Sequence, residues 1–224
     1  MPLVVFGQLD ISTGGNFSDP DWLANEVLAG KGVTISNVRS YGYAEQFGYF
    51  ENGKDIVEMA SGVVMSNGSV PNIFPQDKRM NKTYDVSVDG GLGDDDLLTI
   101  ANEVPALVNK SFTVAKTADA AIIEFDFVSV SDSVEFSFVF ASEEYSSPED
   151  AGYLFSKYND VFGFFVAGPG ISGPYSSPSE FTNGSANLAT IPENNWPITV
   201  STVNDQFNSG YFNHSSNGAS PNPF

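Results

Sequence analysis

The residues of this chain best placed to do chemistry are acids and amides set at the ends of apolar runs. Phe138-Val-Phe-Ala-Ser-Glu-Glu-Tyr145 closes one run on Glu143 and Glu144, and Tyr158-Asn-Asp-Val-Phe-Gly-Phe-Phe-Val166 opens another on Asn159 and Asp160. A third group, Asp94, Asp95 and Asp96, follows Gly90-Gly-Leu-Gly93. A buried carboxylate is costly unless it faces water, pairs with a cation or binds a metal. Ca²⁺ takes about 6–8 oxygen ligands and accepts carboxylate, amide and carbonyl oxygens from irregular loops. The expected cofactor is therefore Ca²⁺, with Asp94, Asp95, Asp96, Glu143, Glu144, Asn159 and Asp160 as candidate ligands. For the Asp triplet, capping of a helix N-terminus explains the residues equally well.

Charge points the same way. The 224 residues carry 9 Lys and Arg against 28 Asp and Glu, a formal net charge of −19 with pI ≈ 4.1. Such a chain repels nucleic acid and anionic membrane, so neither is an expected partner. It suits surroundings that supply salt and divalent cations, although a merely soluble acidic surface would give the same balance. The absence of cysteine removes disulfides, zinc–thiolate sites and thiol catalysis together. The opening Met1-Pro-Leu-Val-Val-Phe6 lacks a basic n-region and is too short for a signal peptide or a span, so an exported form would have its leader outside this sequence.

Catalysis has thin support. His214, the single histidine, stands in a polar stretch, which leaves a Ser-His-Asp triad without a base. Glu143 or Glu144 with Asp160 could form a glycosidase-like carboxylate pair, but carboxylates around a metal explain the same residues without a reaction. The chain is read as no enzyme. Asn-x-Ser/Thr sequons at Asn16, Asn67, Asn81, Asn109, Asn183 and Asn213 allow glycosylation without requiring it. Tyr153, Tyr158, Tyr175 and Trp196, beside Gly/Pro/Ser loops, could stack on sugars, pack on a peptide or simply anchor their loops.

The elements that must position these residues are mostly strands. Short Val/Ile/Phe/Thr runs between Gly/Asn/Asp/Ser clusters mark strands at 32–39, 61–66, 121–128, 133–142, 160–167, 186–191 and 198–202. Alternation is clearest where Val134, Phe136, Phe138 and Phe140 share a face and Glu135 and Ser137 the other. A helix is expected over 18–30, with Pro20 in its first turn, early acids and a Gly30 stop, and a short one over 94–103. The fold class is thus all-β, a jelly-roll-like β-sandwich with one N-terminal helix and one short additional helix. Residues 1–212 read as a single domain with 1–15 as an N-terminal strand or arm, and 213–224 as a flexible polar tail.

At this point the chain resembles the choice-of-anchor L domain of bacterial secreted and cell-surface proteins. The matching pieces are residues 23–38, Ala60-Ser-Gly-Val-Val-Met-Ser-Asn-Gly68, Gly93-Asp-Asp-Asp-Leu97, Ala120-Ala-Ile-Ile-Glu-Phe-Asp-Phe127, Phe140-Ala-Ser-Glu-Glu-Tyr145, Asn159-Asp-Val-Phe-Gly-Phe-Phe165, Gly168-Pro-Gly170 and residues 198–204, in order through about residues 22 to 212. The resemblance implies an extracellular β-rich module joined to varied anchors, with no established catalysis, and it sets all three acidic groups on its strongest motifs. After Asn204 the chain departs from the family pattern. With the acidic groups read as Ca²⁺ ligands, the expected function is an adhesion or ligand-binding module at the cell surface, Ca²⁺-stabilised, taking a surface glycan or peptide. The alternative is a filament or matrix subunit whose copies donate strands, with residues 3–11 as the donated strand.

Overall fold

The structure, a computed structural model, describes residues 9–72, 91–145 and 153–212. The expected N-terminal arm therefore lies partly, and the polar tail with His214 and Asn213 wholly, outside the described residues, as does Asn81. Regular structure is dominated by short antiparallel strands with few helices, as an all-β chain requires. Contacts divide the chain into two compact units that interleave in sequence: residues 1–92 with 118–138, and residues 93–117 with 139–222.

In the first unit, β1 (Asp10–Ser12), β3 (Phe47–Glu51) and β4 (Ser61–Met65) form an antiparallel sheet in the order β1-β3-β4, and β2 (Val33–Tyr41) pairs with β5 (Ile122–Ser129). Asp10 and Ile11, the end of the run read as a donated strand, face Glu51 and Phe50 of the chain's own sheet. The β2–β5 register shifts between Ser36 and Arg39. Asn37 takes up the extra residue at φ 53, a left-handed conformation that asparagine tolerates, and its side chain bonds Asp126 at 2.6 Å. Sequence patterning missed β3, because Phe47-Gly-Tyr-Phe-Glu51 is short and carries a glycine.

The helix expected over 18–30 begins with Asp19, not Ser18, as its cap: the Asp19 carboxylate accepts from the Asp21 N–H at 3.1 Å. Ser18 is occupied elsewhere, donating to the Phe47 carbonyl at 2.9 Å. One α-helical turn, α1 (Pro20–Trp22), passes into a π-helical turn over Leu23–Leu28, which buries Leu23 and Ala24 completely. A single turn, α2 (Lys54–Val57), follows β3.

The second unit is built on α3 (Asp95–Leu107), longer than the short helix expected; Pro105 stands in its last turn, where it takes one N–H out of the i→i−4 ladder, and the helix ends two residues on. Its Ile100, Ala101 and Val104 are fully buried, as are Ala189, Ile191, Ile198 and Val200. The run 160–167 is not one strand. It splits into β6 (Val161–Phe162) and β7 (Phe165–Val166), which pair with β9 (Ile198–Thr199) and β8 (Ala186–Asn187) respectively. Gly163 is the breaking point: a Cβ there would lie 2.6 Å from the Phe165 ring, and the Phe164 N–H turns aside to the Asn187 side chain at 3.0 Å. Residues 133–142 belong to no strand among the described residues, although Val134, Phe136 and Phe138 are more buried than Glu135 and Ser137, as the alternation requires. Residues 200–202 also leave the strand, turning through side-chain hydrogen bonds instead.

A carboxylate pair under a serine turn

Asp160 is held by its backbone: its carbonyl accepts from Val200 N at 3.3 Å, one residue ahead of the β6–β9 ladder. Glu144 sits in the 3-10 turn Glu143–Tyr145, and Ser142 fastens that turn to the strand. The Ser142 hydroxyl accepts from the Glu144 N–H at 3.1 Å and donates to Asp160 Oδ2 at 2.5 Å. The Glu144 carboxylate closes the ring by accepting from the Asp160 N–H at 3.4 Å. Burial, and then the negative charge of Asp160, push the Glu144 carboxyl up to about 8, against a smaller downward pull from the Asp160 N–H. Burial and the charges of Asp160 and Glu144 also raise the Tyr145 hydroxyl, whose ring packs 4.8 Å from that of Phe212.

Asn159, next in the chain to Asp160, has both side-chain polar atoms buried without a hydrogen-bond partner. A buried amide is seldom left so. Ser142 hydroxyl, Glu144 and Asp160 carboxylates and the Asn159 amide oxygen are all hard oxygen donors, and two carboxylates balance a dication, so this donor set fits Ca²⁺ by its chemistry. Glu143 shares the turn, but its side chain lies outside the described residues. Serine two residues ahead of Glu144 was the missed signal: an ST-turn is a local way to orient a following side chain.

The Asp triplet is placed differently. Asp94 is the N-cap of α3, accepting from Leu97 N at 2.8 Å, while its own backbone exchanges two bonds with the Thr117 hydroxyl, at 2.8 and 2.9 Å. At Gly93 a Cβ would overlap the Thr117 backbone, so a glycine is required there. Asp96 accepts from Ser176 N at 3.0 Å and from its hydroxyl at 3.2 Å, tying a loop to the helix. Asp95 borders a shallow outer face of α3 with Leu98, Thr99, Asn102 and Glu103. Among the described residues no group of three or more His, Cys, Asp or Glu side chains assembles.

Antiparallel sheets carrying an oxygen-donor corner define a β-rich module. A profile of the Choice-of-anchor L domain matches residues 11–223, and the chain belongs to that family. The match extends beyond residues 22–212 and runs through the stretch after Asn204, which corrects the departure from the family read there from the residues alone. Family membership places the chain among bacterial surface-associated modules, extracellular or at the cell surface, and outside any known enzyme family. No curated protein and no solved structure matches the chain. Among the described residues no helix is long and apolar enough to cross a membrane.

Proposed function

We propose that this chain is an extracellular adhesion or ligand-binding module, jelly-roll-like in its β-architecture, whose fold is tied by Ca²⁺ at the corner of Ser142, Glu144, Asn159 and Asp160, and which carries out no reaction of its own. One observation carries the ion: two carboxyl groups are held against each other by a shared serine and a backbone N–H, and the residue just before Asp160 in the chain buries an amide with no partner. Without a cation the pair is eased by the proton that Glu144 keeps, and a dication in that proton's place would let both carboxyls ionise. Asp94 and Asp96, each spent on hydrogen bonds to the chain, fall outside the proposed site. The module reading is preferred to strand donation because Asp10–Ser12 pair within their own sheet.

Isothermal titration of the full, chelator-stripped chain with CaCl₂ tests the ion. Saturable binding that Asp160→Asn abolishes and Asp96→Asn leaves in place is expected. Heat of simple dilution from the wild-type chain would remove Ca²⁺ from the proposal.

A further inference from the structure

We infer that Tyr153 and Tyr158 form a rigid aromatic surface that stacks on the sugar rings of a neutral polysaccharide. This rests on the ligand-binding reading and names its ligand class and its place.

Of the four aromatic residues that stand beside loops, two are not available. Tyr175 is only 8% exposed, with its hydroxyl 3.5 Å from Glu103, and Trp196 is half-buried against Phe207, ring centroids 5.8 Å apart. Tyr153 and Tyr158 are 45% and 54% exposed, and their rings meet edge to face with centroids 5.7 Å apart. Large aromatic groups left in water are otherwise expensive, and tyrosine supplies broad contact area at low conformational-entropy cost.

The loop that bears them is held in advance. Ser156 links the two tyrosines, donating to the Tyr153 carbonyl at 2.8 Å and accepting from the Tyr158 N–H at 3.1 Å. Phe155, between them, lies at φ 59, a left-handed conformation that is a true outlier for a bulky side chain. Its N–H is pinned to the hydroxyl of the fully buried Ser201 at 3.1 Å, and Lys110 stands 5.0 Å over its ring. Strain of this kind persists only where the surroundings over-determine it, and it gathers at recognition loops. A surface already ordered loses little entropy when it binds.

The chemistry of the surface selects the ligand. An extended peptide adding itself as a strand needs free N–H groups, and those of Phe155 and Tyr158 are already taken. A pyranose needs only a flat ring face for its C–H side, with its hydroxyls left to water; the Lys157 ammonium, 5.0 Å over the Tyr158 ring, takes one face of that ring, so the sugar stacks on the faces of the pair that remain. Lys157 stands over the Tyr158 ring and Lys110 over that of Phe155, but the net charge of −19 on the chain disfavours the approach of acidic polysaccharides, so neutral ones are favoured.

Affinity electrophoresis of the full chain in native gels cast with soluble starch, galactomannan, dextran or hyaluronate tests this. Retardation by at least one neutral polymer is expected, weakened about tenfold or more by Tyr153→Ala with Tyr158→Ala. The Tyr153→Phe with Tyr158→Phe variant keeps the ring faces and should bind as the wild type does, which guards against a variant that fails to fold. Tyr41→Ala removes a ring 53% exposed elsewhere and should change nothing. No retardation in any neutral gel, retardation by hyaluronate alone, an equal loss with Tyr41→Ala, or full binding by the double alanine variant would each overturn the inference. Calcium-dependent melting of the same samples separates the two ideas: a calcium shift without retardation defeats the tyrosine surface alone, and retardation without a calcium shift defeats the ion alone.

Discussion

Asn204 is 1% exposed and spends both ends of its amide on the backbone. Its nitrogen donates to the Val200 and Ser201 carbonyls at 2.9 and 3.0 Å, and its oxygen accepts from Gln206 and Phe207 N–H groups at 2.9 and 3.1 Å. Truncation strands buried donors and acceptors, so Asn204→Ala should cost about 3 kcal/mol of unfolding free energy, measured by urea denaturation. Glu144 makes the opposite kind of prediction. Its carboxyl, raised to about 8 in the folded chain from 4.5, holds its proton more tightly when folded. The stability it contributes is complete below pH 4.5, drains away as pH rises, and is gone above about pH 8. Partial exposure of the side chain screens the effect, so chelator-treated protein should lose about 1–2 kcal/mol across that window. Glu144→Gln, which cannot ionise, should flatten the profile. An identical slope in the variant would place the titrating group elsewhere.

Among the elements, α3 shows what sequence can and cannot reveal. Its start was legible, because acids after a glycine stretch at a helix N-terminus satisfy free N–H groups and the dipole at once. Which role each aspartate plays was not, since Asp94 as cap and Asp96 as loop tie depend on Thr117 and Ser176, far away in the chain. Gly163 is a similar case: period-2 patterning runs straight through it, while the Phe165 ring two residues on and the distant Leu97 side chain leave no room for a Cβ where one strand becomes two. The corner of Glu144 and Asp160 was legible as chemistry, from acids at the ends of apolar runs, while the Ser142 bridge between them was not. These roles give α3 a decisive test. Asp94→Ala should destabilise the protein by about 1 kcal/mol through loss of the cap and leave the response to Ca²⁺ unchanged. Loss of the calcium response, read by thermal melting, would return the triplet to the ion site.

For the whole molecule, the question is what offsets a net charge of −19. The ion pair between Arg39 and Glu124, at 3.4 Å, joins side chains 57% and 47% exposed, and a pair that open to solvent contributes little. Monovalent salt relieves such self-repulsion gradually and without saturation. A specific Ca²⁺ site behaves otherwise, stabilising the folded state by mass action: about 2.7 kcal/mol at a hundredfold excess over Kd. For a chain of this size that corresponds to a rise of about 5–10 °C in Tm. Mg²⁺, which demands a small octahedral shell and keeps its waters, should give far less at equal concentration. Differential scanning calorimetry in matched ionic strength separates the contributions. The expected result is a calcium increment that saturates, sits on top of a shallow NaCl dependence, and disappears in Glu144→Gln with Asp160→Asn while the shallow dependence remains. Equal shifts with Ca²⁺, Mg²⁺ and NaCl at matched ionic strength would mean that the acidic surface is only being screened.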